Sequence, residues 1–231
     1  MPTIRQLCVL LAFGLSVHAC AVQAQEAGWV SYRDAYRSMV LFAKYGKAKS
    51  FLQNHYQVTP RDPGASLDGL RLTLSGKTTQ LSLPLDATGR TTFPLLKVAY
   101  DENAMLVLNR KISQFHFQPR LSIIPRLDGV YEAADLRAAC DQALQYMRYT
   151  DASYNLKRCG GIRFVFHKRS DAVVRVRDPD RESGLAPNEG AAFDGETNKD
   201  FRVMVYRFAD WPEKVQVISQ QSPVAIAPVI E

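Results

Sequence analysis

Two cysteines, Cys140 and Cys159, carry the most distinctive chemistry in this chain. They are the only cysteines that remain if residues 1–24, which contain Cys8 and Cys20, are removed. A lone pair of thiols in an oxidising compartment is more often bridged than free. The chain has no Cys-x-x-Cys motif or thiol-protease signature, and two cysteines lack the spaced partners of a zinc site. We therefore predict a structural disulfide worth about 3 kcal/mol.

The spacing of histidines and the motifs in the sequence give little support for acid–base catalysis or a metal site. The mature chain would hold His55, His116 and His167, none at a metal-ligand spacing from another. No Gly-x-Ser-x-Gly motif marks a nucleophile, although distant side chains could still converge into a triad. The sequence predicts no metal, no cofactor and no catalytic residue. It leaves an exported hydrolase, with a site assembled from distant residues, as the alternative to a non-enzymatic protein.

A segment that we call the acidic segment, residues 178–200, has seven acids and two bases and hence a net charge of −5. The whole chain carries +6, and Arg5 would leave with the signal, so the rest of the mature chain carries +10. The sequence predicts this segment to be one long loop, and loops of this length are usually functional or disordered. A lesser hypothesis is calcium binding, although the glycine and final glutamate of an EF-hand are missing. The oxygen-bearing side chains that suggest it are Asp194, Glu196, Asn198 and Asp200.

A basic surface is expected beside the acidic segment. Residues 162–167 and 172–177 alternate as strands around the turn 168–171, which predicts a β-hairpin. If the apolar residues face the core, the outward side chains are Arg163, His167, Arg175 and Arg177. We predict that these four bind an anion such as lipid phosphate or an acidic polymer, with the acidic segment competing. The alternative is the solvated face of a half-buried sheet.

Residues 1–24 have the layout of a secretory signal, with Arg5 before an apolar run and Val22-Gln23-Ala24 before the expected cleavage. The apolar run is shorter than the roughly 20 residues of a membrane-spanning helix, so a retained anchor is disfavoured. We predict a periplasmic or secreted protein with no transmembrane segment after cleavage. The alternative is a lipoprotein anchored through Cys20. Nucleic acid is disfavoured as a partner by this compartment and because the sequence has no run of more than two consecutive Lys or Arg residues.

The elements that position these residues predict an α+β protein. The first half reads as a helix over residues 31–46 followed by short strands near 51–59, 70–74, 81–85, 91–93 and 105–108, which suggests a small antiparallel sandwich or meander. The second half reads as one long helix over 132–148 on an antiparallel sheet, with strands near 201–208 and 215–218 and a tail along a sheet edge.

The two halves suggest two domains, residues 25–120 and residues 121–231, with the boundary near Pro119 and Pro125. Taken together, the compartment and the absence of catalytic motifs predict an exported envelope protein with a binding or accessory role. Its expected partner is another envelope protein or an anionic envelope component.

Overall fold

The computed structural model describes residues 28–62, 66–179 and 181–231. The predicted signal, its Cys20 and Asp180 of the acidic segment lie outside the described residues. The helices are α1 (Tyr32–Lys44), α2 (Lys97–Asp101) and α3 (Ala133–Thr150), with short 3-10 turns at Ile112–Gln114, Ala152–Tyr154 and Phe208–Asp210. The strands are β1 (Gly28–Ser31), β2 (Leu52–Pro60), β3 (Leu72–Ser75), β4 (Gln80–Leu83), β5 (Arg90–Thr91), β6 (Met105–Leu108), β7 (Phe115–Ile123), β8 (Val130–Glu132), β9 (Cys159–His167), β10 (Val174–Arg177), β11 (Glu182–Gly184), β12 (Pro187–Gly190), β13 (Phe201–Arg207), β14 (Gln216–Ser219) and β15 (Ala225–Ile230).

Within the described ranges the strands form antiparallel sheets with the orders β1-β6-β3-β4, β5-β2-β7, β11-β10-β14-β8 and β12-β13-β9-β15. A sheet-rich protein with few helices confirms the mixed class predicted from the sequence. The finer assignment of a sandwich to one half and an α+β unit to the other stays a prediction. None of the helices in the described part of the chain is long and apolar enough to cross a bilayer.

Both long helices occur where the periodicity predicts them. α1 follows Ser31, whose hydroxyl accepts a hydrogen bond from the Asp34 backbone N–H at 3.3 Å, as an N-cap does. α3 buries one apolar face, which includes Leu136, Ala139, Cys140 and Ala143. That face packs on β9 and the strands around it, and together they form the largest core.

The disulfide prediction is confirmed. Cys140 and Cys159 are bonded, with their Cα atoms 5.9 Å apart. Cys140 is fully buried on α3, and Cys159 is the first residue of β9. The bridge therefore fixes the helix to a central strand of the sheet that it covers.

The sequence pattern does not predict strand β7, because Pro119 within it indicates a break. β7 pairs along its whole length with β2, from Leu52 opposite Ile123 to Pro60 opposite Phe115. A proline is tolerated because β7 is the edge of its sheet. β7 runs through residue 120, where the sequence placed the domain boundary, and the division into two domains stays a prediction.

The predicted β-hairpin is wrong. β9 pairs with β13 and β15, whereas β10 pairs with β11 and β14 in another sheet. β9 is buried on both faces, since Phe164 lies in the core under α3 and Val165 packs in a third cluster with Ala192 and Phe193. The acidic segment is not an unstructured loop either, because it supplies the edge strands β11 and β12.

Candidate ligand-binding cleft

The four residues predicted to form one basic surface lie in two sheets. Arg163 and His167 are on β9, and Arg175 and Arg177 are on β10. Arg163 donates to Asp194 at 2.7 Å. Both arginines of β10 donate to the Glu182 carboxylate at 3.0 Å. The acidic segment thus does contact the predicted cations, but at two separate places, and it neutralises three of the four.

His167 is exposed at the end of β9 and lines a depression of about 580 Å³. The same depression is lined by Asp68, Asp86 and Asp200. Because three carboxylates and no arginine or lysine line it, this depression is a poor receptor for an anion. Anion binding by the four predicted residues stays a prediction. The expectation that they form one continuous face is wrong.

The four residues of the calcium hypothesis do not converge. Asp194 pairs with Arg163, Glu196 with Arg120, and Asp200 with Lys168. The Asn198 side-chain oxygen accepts the Asp200 backbone N–H at 2.9 Å. Within the described ranges, no group of three or more histidine, cysteine or acidic residues could hold a metal ion.

A different site, not foreseen from the sequence, lies where β7, β15 and the C-terminal end of α3 meet. It is a cleft of about 410 Å³. Its lining is mixed, with more apolar than polar surface, and the apolar part includes Leu121, Tyr146, Met147 and Ile230. Arg120, Asp151 and Asp194 bring charge to it. The volume falls within the range of pockets that bind small molecules, which are typically apolar with a few placed polar groups.

Arg120 is held from behind by a buried polar network. Its Nε donates to Gln57 Oε1 at 2.6 Å, and its Nη2 lies 3.4 Å from Glu196 Oε1. Gln57 is fully buried and donates to the same Glu196 oxygen at 2.9 Å and to the Thr88 carbonyl at 2.8 Å. The guanidinium is therefore fixed in direction before any ligand arrives.

Phe193 of the acidic segment packs against two arginines. Its ring centroid lies 4.8 Å from Cζ of Arg120 and 5.4 Å from Cζ of Arg90, both within cation–π range. Arg90 is itself buried, paired with Asp86 at 2.8 Å and donating to Ser122 Oγ at 3.0 Å. Phe193 thus anchors the acidic segment across the sheet of β5, β2 and β7.

Burial dominates the electrostatics of this network. It lowers the pKa of Arg120 and raises the pKa of Glu196, and in each case the partner's opposite charge only partly offsets the shift. Both oxygens of the Glu196 carboxylate are engaged, because Oε1 receives Gln57 and Arg120 while Oε2 receives the Phe193 backbone N–H at 3.3 Å. The raised pKa thus belongs to an acid that holds Gln57, Arg120 and the Phe193 backbone together.

His55, on β2 of the same sheet, also has a shifted pKa. Burial, with Arg90 as the second cause, lowers the pKa of its imidazole. Its Nδ1 is buried and has no hydrogen-bond partner in the described part of the chain. His55 lies opposite Arg120 in the β2–β7 register but does not line the cleft.

No family model, no curated protein and no solved structure matches this chain. Its function is therefore inferred from its own residues and geometry.

Proposed function

We propose that the protein is an exported, non-enzymatic binding protein of the bacterial envelope that contacts an anionic envelope component. The observation that carries the binding role is the cleft of about 410 Å³ between β7, β15 and α3. Its apolar walls with one oriented arginine are typical of a recognition site. The four basic residues named from the sequence, two on β9 and two on β10, remain a second proposed contact for the same kind of partner.

Export is supported by the cysteine chemistry. A single disulfide between a helix and a central strand is expected in an oxidising compartment and is rare in the cytosol. The signal-like layout of residues 1–24 supports the same compartment. Anchoring through an acylated Cys20 is the alternative form of the same proposal.

A hydrolase is less well supported than a binding protein. A site of that kind needs an acid, base or nucleophile that is open to the substrate. Glu196, the buried acid with a raised pKa, accepts from Gln57 and the Phe193 backbone and does not line the cleft. His55 has a lowered pKa but does not line the cleft.

The proposal is tested by expressing the full chain in a bacterial host and measuring the intact mass and free thiols of the periplasmic fraction. We expect a mature chain that begins at Gln25 and has no titratable sulfhydryl. Retention in the cytoplasm with an uncleaved N-terminus, or two free thiols, would overturn the export proposal. A diacylglyceryl mass on Cys20 would replace the soluble form by the anchored form.

A further inference from the structure

We infer that the cleft between β7, β15 and α3 receives a small amphipathic molecule whose carboxylate or phosphate contacts Arg120 and displaces Asp194 from Arg163. This inference rests on the proposed binding function and names the site and the class of ligand. The ligand would have an apolar body along the cleft walls and an anionic group at Arg120, beside Asp194, the cleft residue that pairs with Arg163.

The walls fit an apolar body. Leu121 and Tyr146 are buried side chains of the main core, and Met147 and Ile230 pack at its margin. Leu41 of α1 also lines the cleft and is 44% exposed. Covering this surface with an apolar chain is favourable by about 25 cal/mol per Å² removed from water.

Arg120 supplies the donor for the anionic group. Its Nε and Nη2 are engaged by Gln57 and Glu196, and the described residues offer no hydrogen-bond partner to Nη1. The side chain is 18% exposed, and it lines the cleft. A planar guanidinium that is already oriented loses little freedom when it binds a carboxylate or phosphate.

The acids that line the cleft are already engaged. Asp151 accepts the Ser153 backbone N–H at 2.8 Å, which lowers the pKa of its carboxyl. Asp194 pairs with Arg163 at 2.7 Å. Both carboxylates keep open acceptor sites, so the preference for an anionic ligand rests on the free edge of the oriented Arg120 guanidinium and on displacement of Asp194.

Asp194 occupies the place of a ligand carboxylate. It is 56% exposed, whereas its partner Arg163 is only 16% exposed and has a buried Nη1 without a partner among the described residues. A half-exposed ion pair is worth at most about 1 kcal/mol. An incoming anion can therefore replace the Asp194 carboxylate on Arg163 at small cost, and Asp194 acts as a built-in competitor.

The experiment is a calorimetric titration of the oxidised mature chain with four probes that share a ten-carbon chain: decanoate, decyl phosphate, decanol and decyltrimethylammonium. We expect the two anionic probes to bind at least tenfold more tightly than the other two, because hydrogen bonds to charged groups are worth roughly 1.5–3 kcal/mol. The ratio between decanoate and decyl phosphate distinguishes a carboxylate ligand from a phosphate ligand. Equal binding of all four probes, or binding of none, would overturn the inference.

Two pairs of variants locate the site. Asp194→Asn should tighten decanoate binding roughly fivefold, whereas Asp200→Asn, the same change in the same segment but away from the cleft, should leave it unchanged. Thr150→Trp should fill the cleft mouth and abolish binding, whereas Gln145→Trp, an exposed site on α3 outside the cleft, should not. Circular dichroism and thermal unfolding check that each variant is folded.

The failures of the two proposals are distinguishable. Decanoate binding that survives Thr150→Trp would place the ligand elsewhere and overturn the cleft site, while the exported binding role would stand. A cytoplasmic, unprocessed chain that still binds decanoate in the cleft would overturn export alone.

Discussion

Replacing Arg120 or Glu196 should have very unequal effects on stability. At 3.4 Å and an effective dielectric constant of about 20, the attraction between the two charges is roughly 5 kcal/mol. Removing water from each ion costs several kcal/mol in turn. The pKa of Arg120 is lowered and that of Glu196 is raised, so desolvation outweighs attraction for both groups.

Arg120→Met leaves a carboxylate buried without its cation and should lower the free energy of unfolding by about 3–5 kcal/mol. Glu196→Gln keeps an acceptor for Gln57 and leaves the Arg120 cation unpaired, but that side chain is 18% exposed against 7% for Glu196, so it should cost less. The double variant should be more stable than Arg120→Met alone. We expect this order of stabilities because Arg120→Met leaves the more deeply buried charge, that of Glu196, without its partner.

The pH dependence of the free energy of unfolding tests whether burial or charge attraction dominates at Glu196. Because burial raises the pKa of Glu196 in the folded protein, its stabilising contribution is full below the unfolded pKa and is lost as the pH rises through the folded pKa. Glu196→Gln lacks this loss. Its stability relative to the wild type should therefore be higher at pH 7 than at pH 4.

The assay is urea unfolding at both pH values, with the disulfide intact, followed by circular dichroism. The matched control is Arg126→Met, which breaks the surface pair with Asp128 and should leave the unfolding midpoint unchanged. If Glu196→Gln loses more stability at pH 7 than at pH 4, or if it is as costly as Arg120→Met, the reasoning about this network is refuted.

Three further outcomes are expected. Replacing both Cys140 and Cys159 by alanine should lower the free energy of unfolding by about 3 kcal/mol in urea, and an unchanged midpoint would contradict a structural role. Phe193→Ala should cost about 3–5 kcal/mol in the same assay, because the ring is 3% exposed; a loss below 1 kcal/mol would remove its anchoring role. Glu182→Gln should increase binding to anionic vesicles, most clearly at low salt, by releasing both arginines of β10; Glu213→Gln is the control, and equal binding by both variants would argue against competition by the acidic segment.

Local patterns were sufficient for the two long helices and for most strands, but not for the short helix α2. The apolar face of α3 and the capping hydroxyl of Ser31 are features of neighbouring residues, and periodicity reveals them directly. The disulfide was predictable because the compartment and the count of cysteines left one pair. The tail was also expected at a sheet edge, and β15 does pair along β9.

Strand order and the cleft were not predictable in this way. Alternation in residues 162–167 and 172–177 is the same whether the two strands pair with each other or with distant partners. The pairing was decided by the burial of both faces of β9, a property of the whole fold. Arg120 and Glu196 are 76 positions apart (196 minus 120), and no local pattern connects them. The one hint in the sequence is the short apolar run around Phe193 within an otherwise polar segment.

The most direct test of the central claim is a backbone NMR titration of the oxidised mature chain with decanoate. We predict that the largest amide shifts cluster around Arg120, Thr150 and Asp194, at the three sides of the cleft. Shifts that cluster instead around Arg175 and Arg177, or that are absent at saturating decanoate, would contradict it.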